Sequence, residues 1–184
     1  MMENKKSLYK IQKGIIVPDG TKVFPIVDPG LQRLSNTKIT EELSFAYGEI
    51  DPGVKSNIHV HPICTQITFV LSGELEVCMK DKDCEDMYSL NLKDSESILT
   101  NPGSFFQLIN NGQEVCKLLY QCAPGFVLEL DGDGNSVYND AVVLPYSWNE
   151  LKEMSWNIPE LEDIEDIRKS RFEAIKRLNR VLDL

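Results

Sequence analysis

The chain contains two histidines, and both fall in one tripeptide, His59-Val60-His61. Along a β-strand, side chains two positions apart leave the backbone on the same face. The two imidazoles then stand side by side, close enough to grip one divalent metal ion. Cys64 follows closely and offers a soft ligand or a nucleophile, or else small apolar filler. Tyr47 and Tyr120 lie on apolar segments that read as strands, where a packed aromatic with a hydrogen-bonded tip is the ordinary reading and a hydroxyl acting as acid, base or oxyanion donor is the chemical one. Other chemistry fails on inspection. Asp131-Gly132-Asp133-Gly134-Asn135-Ser136 begins like a calcium loop, but it lacks glycine at its sixth position and places Val142 where a bidentate carboxylate is needed. It reads as a hairpin turn. No phosphate-cradling glycine loop occurs, and a Ser-His-Asp triad would have to borrow a member of the histidine pair.

The surroundings of the pair are more telling than the pair. The stretch Gly53-Val-Lys-Ser-Asn-Ile-His59-Val-His61-Pro-Ile-Cys-Thr-Gln66-Ile-Thr-Phe-Val-Leu-Ser-Gly73 resembles the first motif of the cupin superfamily: Gly, five residues, His-x-His, three or four residues, Glu, six residues, Gly. Every spacing fits, with Gln66 where glutamate is usual. Asn101-Pro102-Gly103-Ser104-Phe105-Phe106-Gln107-Leu108-Ile109-Asn110 is similar to the second motif, with Asn101 for its first proline and Phe106 for its histidine. Cys122-Ala123-Pro124-Gly125-Phe126 is similar to the Pro-Gly-Phe stretch that follows in many small cupins. The resemblance spans roughly residues 40 to 130.

That resemblance implies an all-β double-stranded β-helix, the cupin or jelly-roll barrel, with a metal on His59, His61 and Gln66 inside it. The implied cofactor is a divalent ion, with Fe, Mn, Ni and Zn not distinguished. A neutral ligand set leaves more positive charge on the metal, which suits Lewis-acid work on a carbonyl or enolate. The function implied is therefore a metal-dependent enzyme of isomerase or lyase type acting on a small organic molecule. An iron dioxygenase and a non-catalytic small-molecule binder are the alternatives. Phe106, facing inward in place of a histidine, makes the pocket more apolar and favours an organic ligand. By the same analogy the chain forms a homodimer.

Composition narrows the remaining classes. The net charge of −10 disfavours nucleic-acid and anionic-membrane partners. No run of about 18 apolar residues is present to form a transmembrane helix, and the opening Met-Met-Glu-Asn-Lys-Lys-Ser is unlike a secretory signal. Five cysteines, an odd number with no Cys-x-x-Cys pair, suit reduced thiols. The expectation is a cytoplasmic protein.

The elements that must position these residues are short strands divided by Gly, Pro and Asn. Candidates are Val23 to Val27, Leu43 to Ile50, Asn57 to His61, Gln66 to Leu71, Leu75 to Met79, Tyr88 to Leu92, Ser97 to Thr100, Phe105 to Ile109, Val115 to Cys122 and Phe126 to Leu130. The tail changes character. Trp148 to Met154 reads as a short helix, and a longer one is expected from Pro159, acidic in its first turns and basic in its last. Leu161, Ile164, Ile167, Phe172, Ile175, Leu178 and Leu182 recur as one apolar stripe that packs on the barrel or on a second subunit. The organisation expected is an N-terminal segment packing on the barrel (1–40), the barrel itself (41–145) and a C-terminal helical extension (146–184).

Overall fold

In a computed structural model, which describes residues 11, 13–27, 42–161 and 163–182, this punctuated alternation becomes a β-barrel closed at one side by helices. The strands are β1 (Ile15–Ile16), β2 (Lys22–Val27), β3 (Ser44–Ile50), β4 (His59–Val60), β5 (Thr65–Ser72), β6 (Leu75–Lys80), β7 (Tyr88–Leu92), β8 (Ser97–Thr100), β9 (Phe105–Ile109), β10 (Cys116–Ala123), β11 (Leu128–Leu130), β12 (Ser136–Asn139) and β13 (Val142–Val143). Two helices follow, α1 (Trp148–Glu153) and α2 (Ile164–Leu182), with a 3-10 turn at Pro159–Leu161 between them.

One sheet runs β1-β2-β3-β10-β5-β8 and the other β13-β4-β9-β6-β7, all pairs antiparallel. Period-two alternation decides what each strand buries. On β10 the residues Cys116, Leu118, Tyr120 and Cys122 are buried, and on β5 Gln66, Thr68 and Val70. Their inner faces meet Val77, Met79, Phe106 and Leu108 of the second sheet in one apolar core. Gly73 turns β5 into β6 at φ 96°, and a Cβ there would stand 3.0 Å from the Cys116 backbone. Both constraints exclude other residues.

Strands β1 and β2 are hydrogen-bonded into the first sheet, so the described part of the N-terminal segment is barrel wall rather than an outer layer. The rest of that segment, residues 1–10 and 28–40, lies outside the described residues.

The short helix α1 begins at a capping box, in which Ser147 and Glu150 satisfy each other's backbone donors. Six residues do not hold a helix unaided. Leu151 is fully buried among Ile58, Val60, Phe105 and Leu144, a burial that contributes about 1.5–3 kcal/mol.

The long helix starts at Ile164, later than expected from Pro159. Asp163 is the reason: its Oδ1 accepts from the backbone N–H groups of Glu165 and Asp166, both at 3.0 Å. The expected stripe also needs correction. Phe172 is 57% exposed, whereas Arg171, Ala174, Ile175 and Leu178 form the buried row. Ala174, Ile175 and Leu178 pack on Val127. Arg171 is admitted because Asp140 and the Gly125 carbonyl accept its N–H groups. Glu162 and the side chain of Leu182 lie outside the described residues. No helix among the described residues is long and apolar enough to cross a membrane.

Candidate functional site

Strand β4 is two residues long, and its pairing places the histidines. His59 pairs with Phe106 and Val60 with Phe105. Val60 therefore points outward into the cluster under α1. His59 and His61 point inward, to a cavity that opens to solvent. Gln66 on β5 and Tyr120 on β10 line the same cavity. Its remaining walls are largely apolar: Ile15, Val17, Pro18 and Val23 from the N-terminal hairpin, and Ala46, Leu108, Phe126 and Leu128 from the barrel.

Aromatic rings surround the imidazoles. The Phe106 ring centroid lies 4.0 Å from that of His59 and 5.1 Å from that of His61, and Phe126 stands 5.2 Å from His61 on another side. Burial, with His59 adjacent, holds His61 well below the ordinary imidazole range, so it is neutral near pH 7. Its Nδ1 is buried with no hydrogen-bond partner among the described residues.

A residue the sequence reading did not single out completes the polar end. Asp19 sits in the turn between β1 and β2 and lines the cavity. Its Oδ1 accepts from the Thr21 N–H at 2.8 Å and the Thr21 hydroxyl at 2.7 Å. The Asn57 N–H donates to its backbone carbonyl at 2.7 Å, tying the turn to the strand that carries the histidines. Its Oδ2 is 3.5 Å from His59 Nε2. Pro18-Asp19-Gly20 carries a turn signal in the sequence, but nothing there says that the turn folds over His59, forty residues away.

The tautomer of His59 follows from its other nitrogen. Nδ1 lies 2.9 Å from the Asn57 carbonyl, which only accepts, so Nδ1 carries the hydrogen. A neutral His59 thus presents the Nε2 lone pair beside the Asp19 carboxylate. Two acceptors side by side invite a donor from a bound molecule. A proton on Nε2 would instead make an ion pair.

Tyr120 supplies the complementary group. Its ring lies over Gly48, where any Cβ would collide with it, and its hydroxyl is buried without a partner among the described residues. Burial, reinforced by the Asp19 charge, pushes the phenol well above its usual range. It is a fixed donor rather than a base.

Two expected site residues lie elsewhere. Tyr47 is on the right strand but the wrong face: Ala46 lines the cavity, and alternation turns Tyr47 outward. There it packs on Phe24 at 5.3 Å and donates to Glu49, and burial together with that bond pushes it up to about 12. Cys64 is wholly buried but does not line the cavity; its Sγ donates to Asp140 at 3.5 Å. Burial raises this thiol far above its ordinary value, which leaves it neutral and unreactive.

The donors were tested against the metal that the motif implies. Phe106 fills the third histidine's place and packs on both imidazoles. The Gln66 amide is turned along its own sheet: Nε2 donates to Thr68 at 3.0 Å and Oε1 accepts from Cys122 at 3.4 Å. Among the described residues, no three or more His, Cys, Asp or Glu side chains are placed to hold a metal ion. Two imidazoles with an engaged amide do not fit a resident divalent metal.

A family model described as Cupin domain matches residues 46–122. The Drosophila melanogaster CENP-C cupin domain is similar in fold at 18% identity and a TM-score of 0.51, covering 65% of this chain and 77% of that one. The capsular polysaccharide assembling protein CapF of Staphylococcus aureus is similar at 12% identity and a TM-score of 0.50, covering 77% of this chain and 33% of that one. No curated protein matches the chain in sequence. At these identities the likeness is one of fold, and it does not extend to ligand or activity.

Proposed function

We propose that the barrel mouth of this chain, whose residues 46–122 match the cupin domain family, binds a small organic molecule with an apolar body and a hydroxyl-bearing head, met by protein side chains rather than by a metal. The observation that carries this reading is the Tyr120 hydroxyl, buried and without a partner among the described residues, on a side chain that lines a cavity walled mainly by apolar groups. An unmade hydrogen bond of that kind costs about 1–3 kcal/mol, and a ligand oxygen accepting from it recovers that cost. The ligand's own O–H would donate to the Asp19 carboxylate or to His59 Nε2, which stand together at 3.5 Å. A hydroxyl is the simplest head that accepts from one side and donates to the other. Any reaction on the bound molecule has the Asp19–His59 pair available to move a proton.

The test begins with protein purified without chelator. Metal content is measured, and small aliphatic and aromatic alcohols and hydroxy acids are titrated in by amide-resolved NMR. Substoichiometric metal is expected, together with ligands that perturb the Thr21, His61 and Tyr120 signals and bind equally well in EDTA. A full equivalent of Fe, Mn, Ni or Zn would overturn the reading and restore a Lewis-acid isomerase or lyase, or an iron dioxygenase. Perturbations confined to sites outside the barrel would also sink it.

A further inference from the structure

The charge of the cavity is one-sided. Among the described residues that line it, Asp19 alone carries a formal charge, and none is Lys or Arg. The Asp19 side chain is 11% exposed, so water screens that charge little. Its Oδ1 is satisfied by both donors of Thr21. Its Oδ2 stands beside His59 Nε2, which offers a lone pair because Nδ1 holds its hydrogen against the Asn57 carbonyl. A hydroxyl brings one hydrogen to these two acceptors and leaves the other without a donor. A primary ammonium brings three, together with the opposite charge. The second observation is Tyr120, 8% exposed, which lines the same cavity with its hydroxyl unpartnered among the described residues.

Resting on the proposed binding of a hydroxyl-bearing molecule, we infer that the ligand is an amino alcohol, its protonated amine held by the Asp19 carboxylate and His59 Nε2 and its hydroxyl by Tyr120. Charge selects the amine. A ligand carboxylate or phosphate would meet Asp19 with no Lys or Arg in the lining to offset it. A cation instead neutralises a nearly buried carboxylate, and the ring faces of Tyr120 and Phe126 in the wall favour it further. His61, neutral near pH 7 because it is buried, does not oppose it. The net charge of −10 also draws cations toward the molecule. A proton on His59 Nε2 would cancel the Asp19 charge, and a neutral diol would then bind as well as the amine. Asp19 lies in the β1–β2 turn, before the residues 46–122 that match the cupin domain family. The preference for an amine is therefore a property of this chain's own N-terminal hairpin.

The test titrates three series with matched apolar bodies into the full chain near pH 7 in EDTA, read by amide-resolved NMR. Phenylglycinol and leucinol are the amino alcohols. Phenylethanediol and isobutylethanediol carry a second hydroxyl in place of the amine, and mandelate and isobutylglycolate carry a carboxylate. The amino alcohols should shift the Thr21 amide and bind at least about tenfold more tightly than the diols, with the hydroxy acids weakest. Asp19→Asn keeps an acceptor for Thr21 and removes the charge, so the advantage of the amine over the diol should fall to within about twofold. If that variant does not fold, the ranking on the wild type decides. Diols that bind as tightly as the amino alcohols, or hydroxy acids that bind best, overturn the inference and leave the hydroxyl reading standing. An amine advantage that survives Asp19→Asn in a folded protein also overturns it, since the cation is then held elsewhere on the acidic molecule. If no series binds, the hydroxyl reading and the inference fall together.

Discussion

Tyr120 ends in a hydroxyl that has no partner among the described residues, although its ring lies closely against Gly48. Deleting that oxygen keeps the packing and removes an unmet donor. Tyr120→Phe should therefore be as stable as the wild type, or more stable by up to about 1 kcal/mol, in urea unfolding of the ligand-free protein. The same change should weaken a cavity ligand by roughly tenfold, about 1.4 kcal/mol, in the NMR titration. A clear loss of stability would show that the hydroxyl is satisfied within the protein. Tyr47 shows what one residue position decides. It lies on the strand that lines the cavity, yet alternation puts its hydroxyl on Glu49 and its ring against Phe24.

The C-terminal helix α2 is joined to the barrel through a buried carboxylate. Asp140 accepts from the Val127 N–H at 2.8 Å, the Tyr138 hydroxyl at 2.7 Å and the Arg171 guanidinium at 3.1 Å, and its side chain is fully buried. Arg171 also donates to the Gly125 carbonyl, next to Phe126 of the cavity wall. Arg171→Met should leave the Asp140 charge unpaired and cost about 3–5 kcal/mol in urea unfolding. Arg171→Met/Asp140→Asn should recover part of that loss, because the uncompensated charge is gone. If the single variant is nearly neutral, the helix is held by its apolar row of Ala174, Ile175 and Leu178 alone. The helix thus steadies one side of the cavity.

For the whole molecule, net charge sets how copies of the chain meet one another. Each carries −10, and this repulsion extends about 30 Å at 0.01 M salt but about 10 Å at 0.1 M. Raising NaCl over that range should therefore lower the second virial coefficient read by static light scattering. A coefficient that rises with salt would show that the acidic surface does not govern the encounter.

The resemblance of two motifs to the cupin pattern implied the barrel and placed His59, His61 and Gln66 inside it, while strand periodicity and turn glycines, which act locally, marked the strands. Ten strand segments and the short helix α1 were legible for the same reason. The two-residue strands β1 and β13 and the brief β12 were not, since such short pieces have no periodicity and form only against a partner strand. Tertiary structure alone brought Asp19 to His59, turned the Gln66 amide along its own sheet and seated Phe106 against both imidazoles. Those contacts join residues far apart in the chain, and whether a pair of imidazoles holds a metal or a hydroxyl depends on which distant side chains close around it.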